Sequence, residues 1–114
     1  MTNFDELAAK IDPESASRES CTEAYKAQSD YGDDIGPLGL VQSWRIYGRK
    51  LSAVAEKTKD VRLKELFSTD GEASVETADA MERLDSLHSP APARARAAKD
   101  GWQSTCHELL SKDS

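Results

Sequence analysis

The chain is short of nearly everything from which reactive or metal-binding sites are built. Its 114 residues include two histidines and two cysteines. A carboxylate-bridged di-iron bundle needs two Glu-x-x-His units. Here Asp85-x-x-His88 occurs once, and Ser104 stands three residues before His107. A haem would need an axial pair such as Met81 with His107, but Met81 falls on an apolar stripe, where methionine usually fills gaps. Cys106 and His107 are adjacent, so on a helix they diverge by about 100° and form no nucleophile–base pair. Gly36-Pro37-Leu38-Gly39 lacks the Lys-Ser/Thr of a phosphate loop, and no Ser/His/Asp set is evident. These gaps lead to the expectation of no catalytic residue, no metal ligand and no cofactor.

Aromatic residues number seven, and runs of β-branched residues are missing, which argues against sheet. No stretch approaches the ~20 apolar residues of a membrane span. Basic residues are in deficit: the net charge is −6 and the isoelectric point about 4.9. Nucleic-acid affinity rests largely on phosphate neutralisation by Lys and Arg, so a polyanionic partner is not expected. The N-terminus also lacks the basic start and apolar run of a secretory signal, which reads as cytoplasmic. An oxidised cysteine pair would read instead as exported, after removal of a leader or by a signal-independent route.

What the chain has in abundance is helix chemistry. Phe4, Leu7, Ala8 and Ile11 form one apolar stripe on a short acidic helix, with Asn3 and Glu6 as a box-like start. Asp12-Pro13-Glu14 opens a longer helix, with Cys21, Ala24, Tyr25, Gln28 and Tyr31 on one face and Gly32-Asp33-Asp34 as its stop. Gly36-Pro37 opens the next. It carries Leu40, Val41, Trp44, Tyr47, Leu51, Val54 and Ala55 on one side, and Arg45, Arg49, Lys50, Glu56 and Lys57 on the other. Asp60 caps a third helix, whose stripe runs from Leu63, Leu66 and Phe67 through Val75, Ala78, Met81 and Leu84 to Leu87. Thr69-Asp70-Gly71-Glu72 interrupts it, as either a kink at Gly71 in a continuous helix or a break with a new cap; the continuous, kinked form is expected. After Ser89-Pro90 and Pro92, the residues Ala91, Ala95, Ala98, Trp102, Thr105 and Leu109 recur as a heptad-like seam.

The long segments span 13–31, 37–59, 61–87 and 90–111 and are joined by short connections. They predict an all-α, antiparallel, up-down-up-down four-helix bundle over residues 13–114, preceded by a short extra N-terminal helix or arm over residues 1–12. In that order the first and last long helices lie side by side. Cys21 and Cys106 then fall on inward stripes at nearly the same height, about 4 Å apart along the axis. They are candidates for a disulfide; the alternative is two buried free thiols. Trp44 and Trp102 read as core, with interface anchoring as the rival.

Charge alternates by segment. Residues 1–36 carry nine acidic and three basic side chains, 37–64 two and seven, 65–89 seven and one, and 90–114 three and four. Complementary neighbours favour one helix order over others. The basic band reads as a solvated face beside acidic helices or as a docking site for an acidic partner.

The early cysteine, the late cysteine and the passage Leu51 to Leu66, LSAVAEKTKDVRLKEL, resemble small helical-bundle proteins common in actinobacteria, many exported or lipid-anchored. That resemblance implies a stapled bundle at the cell envelope. Gly36-Pro37, and Val75 followed by Asp79, also resemble the layout of EspC-like, leaderless substrates of type VII secretion. The chain departs from them in having Trp44-Arg45-Ile46 without a Trp-X-Gly turn, and Val75 where the export motif has tyrosine. The leading functional expectation is a non-enzymatic protein–protein interaction module. Phe4, Leu7, Ile11, Arg45, Arg49 and Lys50 are the candidate contacts, with a homodimer possible. A ligand-binding bundle with a pocket between Tyr25, Trp44 and Trp102 is the alternative from another class.

Overall fold

The computed structural model describes residues 13–85 and 87–111, and the stripe of Phe4, Leu7 and Ile11 lies outside them. The described residues form a helical bundle of four helices and contain no strand. The helices are α1 (Pro13–Leu38), α2 (Leu40–Lys57), α3 (Val61–Glu82) and α4 (Ala91–Ser111). Each packs on the next in sequence, and α1 also packs on α4.

The first boundary differs from expectation. α1 does not stop at Gly32-Asp33-Asp34 but continues through Gly36 and Pro37 to Leu38. Pro37 lies in the last turn on an exposed surface, where the Asp33 carbonyl that it deprives of a donor can be hydrated. The chain turns instead at Gly39, whose φ of 83° suits glycine and strains any residue with a Cβ. Gly39 serves both helices. Its N–H donates to the Ile35 carbonyl at 3.0 Å, closing α1. Its own carbonyl accepts from the Ser43 N–H and hydroxyl, opening α2.

The junction at Asp60 is as the sequence reads. Its carboxylate caps α3 by accepting from the Leu63 N–H at 2.9 Å. α3 then runs unbroken past Gly71, and the reason is packing. A Cβ on Gly71 would stand 2.8 Å from the Gly48 carbonyl oxygen and 2.9 Å from the Ser52 nitrogen. A Cβ on Gly48 would stand 2.7 Å from the Gly71 carbonyl oxygen. The two glycines face each other and let the α2 and α3 backbones touch, so Gly71 marks a helix crossing. On α4, Ala91, Ala95, Ala98, Trp102 and Cys106 are buried, small at the start and bulky further on.

Contacts across neighbouring helices pair rising residue numbers with falling ones. On α1 and α2, Glu23 meets Lys57, Asp30 meets Lys50, and Tyr31 meets Trp44. On α2 and α3, Tyr47 meets Asp70 and Arg45 meets Asp79. On α3 and α4, Asp70 meets Trp102 and Glu76 meets Arg94. On α1 and α4, Cys21 meets Cys106 and Gln28 meets Gln103. The ion pairs join helices of opposite segment charge. Each is surface-exposed at one or both ends and individually worth little, so together they select helix order more than they stabilise it.

Candidate functional site

The centre of the bundle holds a carboxylate. Asp70 has no solvent exposure, yet it lies on the α3 core stripe of Leu63, Phe67, Ser74 and Thr77. Its Oδ2 accepts from the Tyr47 hydroxyl at 2.6 Å and from the Trp102 indole N–H at 2.8 Å; its Oδ1 accepts from the Ser74 hydroxyl at 3.0 Å. One side chain thereby ties α2, α3 and α4 together. Burial first, and then the nearby Asp70, push the Tyr47 hydroxyl well above the usual tyrosine range. Two ring clusters flank this centre. Tyr25 and Phe67 pack on Trp102, with centroids 5.1 and 5.5 Å away. Tyr31, Trp44 and Tyr47 form the other cluster, and the Lys99 ammonium lies 4.9 Å from the Tyr47 ring centroid.

The space foreseen as a pocket between Tyr25, Trp44 and Trp102 is thus occupied on one side by an edge-to-face ring pair. Trp102 is fully buried, Trp44 half-buried in the other cluster. The sequence reading missed Asp70, taking the polar residue as part of an interruption. Its signal was the spacing of Leu63, Phe67, Asp70, Ser74 and Thr77, which keeps the four–three rhythm of a buried stripe.

Cys21 and Cys106 are joined in a disulfide with Cα atoms 5.5 Å apart, and both are fully buried. Beside it the Tyr25 hydroxyl donates to the Gln103 carbonyl at 3.3 Å. Of the charged candidates, Arg45 bridges Asp79 and Glu82 at 2.8 Å each, and Lys50 pairs with Asp30 at 3.0 Å. Hydrogen bonding to the two carboxylates holds the Arg45 guanidinium above its ordinary value. Arg49 is exposed. With Lys57 on Glu23, three members of the basic band therefore spend their charge on neighbouring helices.

The α3 stripe also needs correction at its far end. Leu84 and Leu87 do not continue it; they are 94% and 95% exposed on the connection to α4. The helix ends before them in a Schellman turn. The Leu84 N–H donates to the Met81 carbonyl, and the Asp85 N–H to the Ala80 carbonyl. That turn places Leu84 at the position where glycine is usual, with φ 58°. A left-handed leucine costs about 1–2 kcal/mol, and within the described molecule its side chain recovers none of it by burial. Ile35, Leu38 and Leu40 are likewise exposed around Gly39. Arg45 ties this region to Glu82. Leu40 lies five residues before Arg45, and Leu84 two residues after Glu82. The two apolar connections thus flank one ion-pair cluster. Near these connections in sequence lie Asp33, Asp34, Asp79, Glu82 and Asp85, together with Arg45, Arg83, Arg94 and Arg96.

A second surface feature is a shallow, open groove between α1 and α4, lined by Tyr25, Gln28, Asp100, Gln103, Ser104 and His107. Among the described residues no three His, Cys, Asp or Glu side chains gather as metal ligands, and no helix is long and apolar enough to cross a membrane. The chain matches no protein-family model, no curated protein and no solved structure.

Proposed function

We propose that this chain is a non-enzymatic protein-binding module, an up-down-up-down four-helix bundle that presents one apolar end to a partner. The rising-with-falling contacts between neighbouring helices support that order. The observation that carries the function is Leu84. It occupies a glycine position in a left-handed conformation and is almost wholly exposed, as is Leu87, while Ile35, Leu38 and Leu40 are exposed by less than half. A residue kept at a cost to the free protein, where glycine would relieve it, points to work done in a complex. Exposed apolar clusters rimmed by charge are the ordinary mark of binding surfaces.

The test is affinity purification from the native host with the full chain, beside Leu84→Gly combined with Leu87→Ser. The reading expects a protein retained by the parent chain and lost by the variant, while the variant gains about 1 kcal/mol in stability from the relieved backbone. Equal retention by both chains would sink it. A second reading concerns place. The buried disulfide supports export to an oxidising compartment. Alkylation of freshly lysed host cells, without reductant, checks this by mass. Addition of two alkyl groups would mean reduced thiols and a cytosolic protein.

A further inference from the structure

We infer that this chain has a second, dimeric state in which two copies exchange α1, each copy's α1 completing the other's bundle. Gly39 and the helix it carries point to this, independently of Leu84. α1 and α2 are joined by the single residue Gly39. The ladder of four-residue hydrogen bonds reaches it from both sides: its N–H donates to the Ile35 carbonyl, and its carbonyl accepts from the Ser43 N–H. Between them the chain turns at a φ of 83°. At a helical φ, α1 and α2 become one straight helix about 70 Å long, and α1 is carried off its own bundle. So short a connection lets two copies trade an identical element at low cost.

α1 is also the helix most easily spared. Among the described residues its buried side chains are Ser20, Cys21, Ala24 and Ala27, all small. The Asp70 hydrogen bonds tie α2, α3 and α4 to each other and leave α1 out. An identical α1 from a second copy restores every contact of the bundle and adds new ones at the hinge. The pairs Glu23–Lys57, Asp30–Lys50 and Tyr31–Tyr47 lie about equally far before and after Gly39. Continued through a straight hinge, that register sets Leu38 of one copy beside Leu40 of the other, and both are exposed in the single bundle. Cys21 lies on α1 and Cys106 on α4, so exchange makes both disulfides of the pair intermolecular. Each forms from two thiols and one small disulfide oxidant, which takes up their two protons and two electrons and leaves as two thiols. Oxidation then locks the dimer.

The test refolds the full, reduced chain with oxidised glutathione, as an equal mixture of unlabelled and heavy-isotope copies, at about 1 μM and about 500 μM protein. After alkylation, light scattering and a non-reducing gel count the dimer, and peptide mass spectrometry reads which cysteines are joined. At the higher concentration a reducible dimer is expected, and about half of its Cys21–Cys106 peptides join a labelled copy to an unlabelled one. Gly39→Ala strains the turn and favours the straight helix, so it should raise the dimerisation constant at least about tenfold. A Cβ there meets nothing within 4 Å, so the backbone alone acts. Inserting Gly-Ser-Gly-Ser after Gly39 relaxes the hinge and should leave monomer at both concentrations. A parent chain that stays monomeric at both concentrations overturns the inference, whatever the variants do. So does a dimer whose Cys21–Cys106 peptides never mix labels, which is association through surfaces; if Leu84→Ser with Leu87→Ser abolishes that dimer, the apolar end is its interface. Label mixing at the parent's level in the insertion variant means random oxidation and overturns it too.

Discussion

Removing the Asp70 carboxylate should cost the bundle several kcal/mol of its stability, and replacing it by the amide should not. In Asp70→Ala the Tyr47 hydroxyl and the Trp102 indole N–H both lose their acceptor in a site with no solvent exposure. Ser74 escapes, because a serine hydroxyl on a helix can turn to the carbonyl four residues back. Two stranded buried donors cost about 1–3 kcal/mol each, and the emptied volume adds to that. The expected loss is about 3–5 kcal/mol, set against a total stability of about 5–15 kcal/mol for a domain of this size. Asp70→Asn behaves differently. Its oxygen can take the place of Oδ2 and accept from Tyr47 and Trp102, while its NH2 donates to the Ser74 oxygen. The geometry survives, and only the stronger hydrogen bonding of a carboxylate is lost, about 1 kcal/mol. Guanidinium unfolding of the oxidised chain, followed by helix circular dichroism and tryptophan fluorescence, measures both. An alanine variant within about 1 kcal/mol of the parent would refute the account of the centre, as would an asparagine variant as unstable as the alanine one.

The helix crossing gives a second expectation. Gly71→Ala should destabilise by about 1–3 kcal/mol in the same assay, although alanine is the better helix former, because its Cβ would press on the backbone of Gly48 and Ser52. For the disulfide, whose partners are 85 residues apart, chain-entropy reasoning puts the loss on reduction at about 4–5 kcal/mol. Hydrogen exchange after reduction should rise first in α1, the helix outside the Asp70 network; uniform loss of protection would count against this. Alkali should unfold the protein through Tyr47. Its folded proton affinity is raised, so its contribution is complete below the unfolded tyrosine value of about 10 and is lost as pH rises above it, at up to about 1.4 kcal/mol per pH unit. Tyr47→Phe should flatten that part of the pH–stability curve.

Much of the fold was legible because it follows from a fixed rise and a fixed period. The α2 stripe through Tyr47, Leu51 and Val54, the cap at Asp60 and the meeting of Cys21 with Cys106 needed only helical geometry and short connections. The misreadings share a physical cause. By propensity Gly32 reads as a stop and Gly36-Pro37 as the next start, but a helix end is decided by which residue must leave helical space, and that residue is Gly39. Gly71 raised the same question, and its answer lay on another helix, in Gly48. Asp70 is absent from the expected stripe, since a carboxylate is costly to bury unless donors converge on it, here Tyr47 and Trp102 from other helices and Ser74 one turn on. No local pattern reveals such convergence. Leu84 and Leu87 extended a stripe in sequence, while the helix beneath them had already ended at Glu82.

The two sites divide the molecule's labour. The interior resolves its polarity completely: no buried side-chain nitrogen or oxygen among the described residues lacks a partner. The charged residues of α2 are largely spent on neighbouring helices. A core settled in this way needs nothing from a ligand, which is why function is sought where the molecule remains unresolved. That place is the end holding a left-handed leucine at a glycine position. Glycine there would relax the backbone and remove apolar surface from water, two gains for the free protein. On the proposed reading the side chain is buried in a complex, so the same substitution should stabilise the isolated bundle and weaken that complex. A stability gain without a binding loss would mean that Leu84 is merely tolerated.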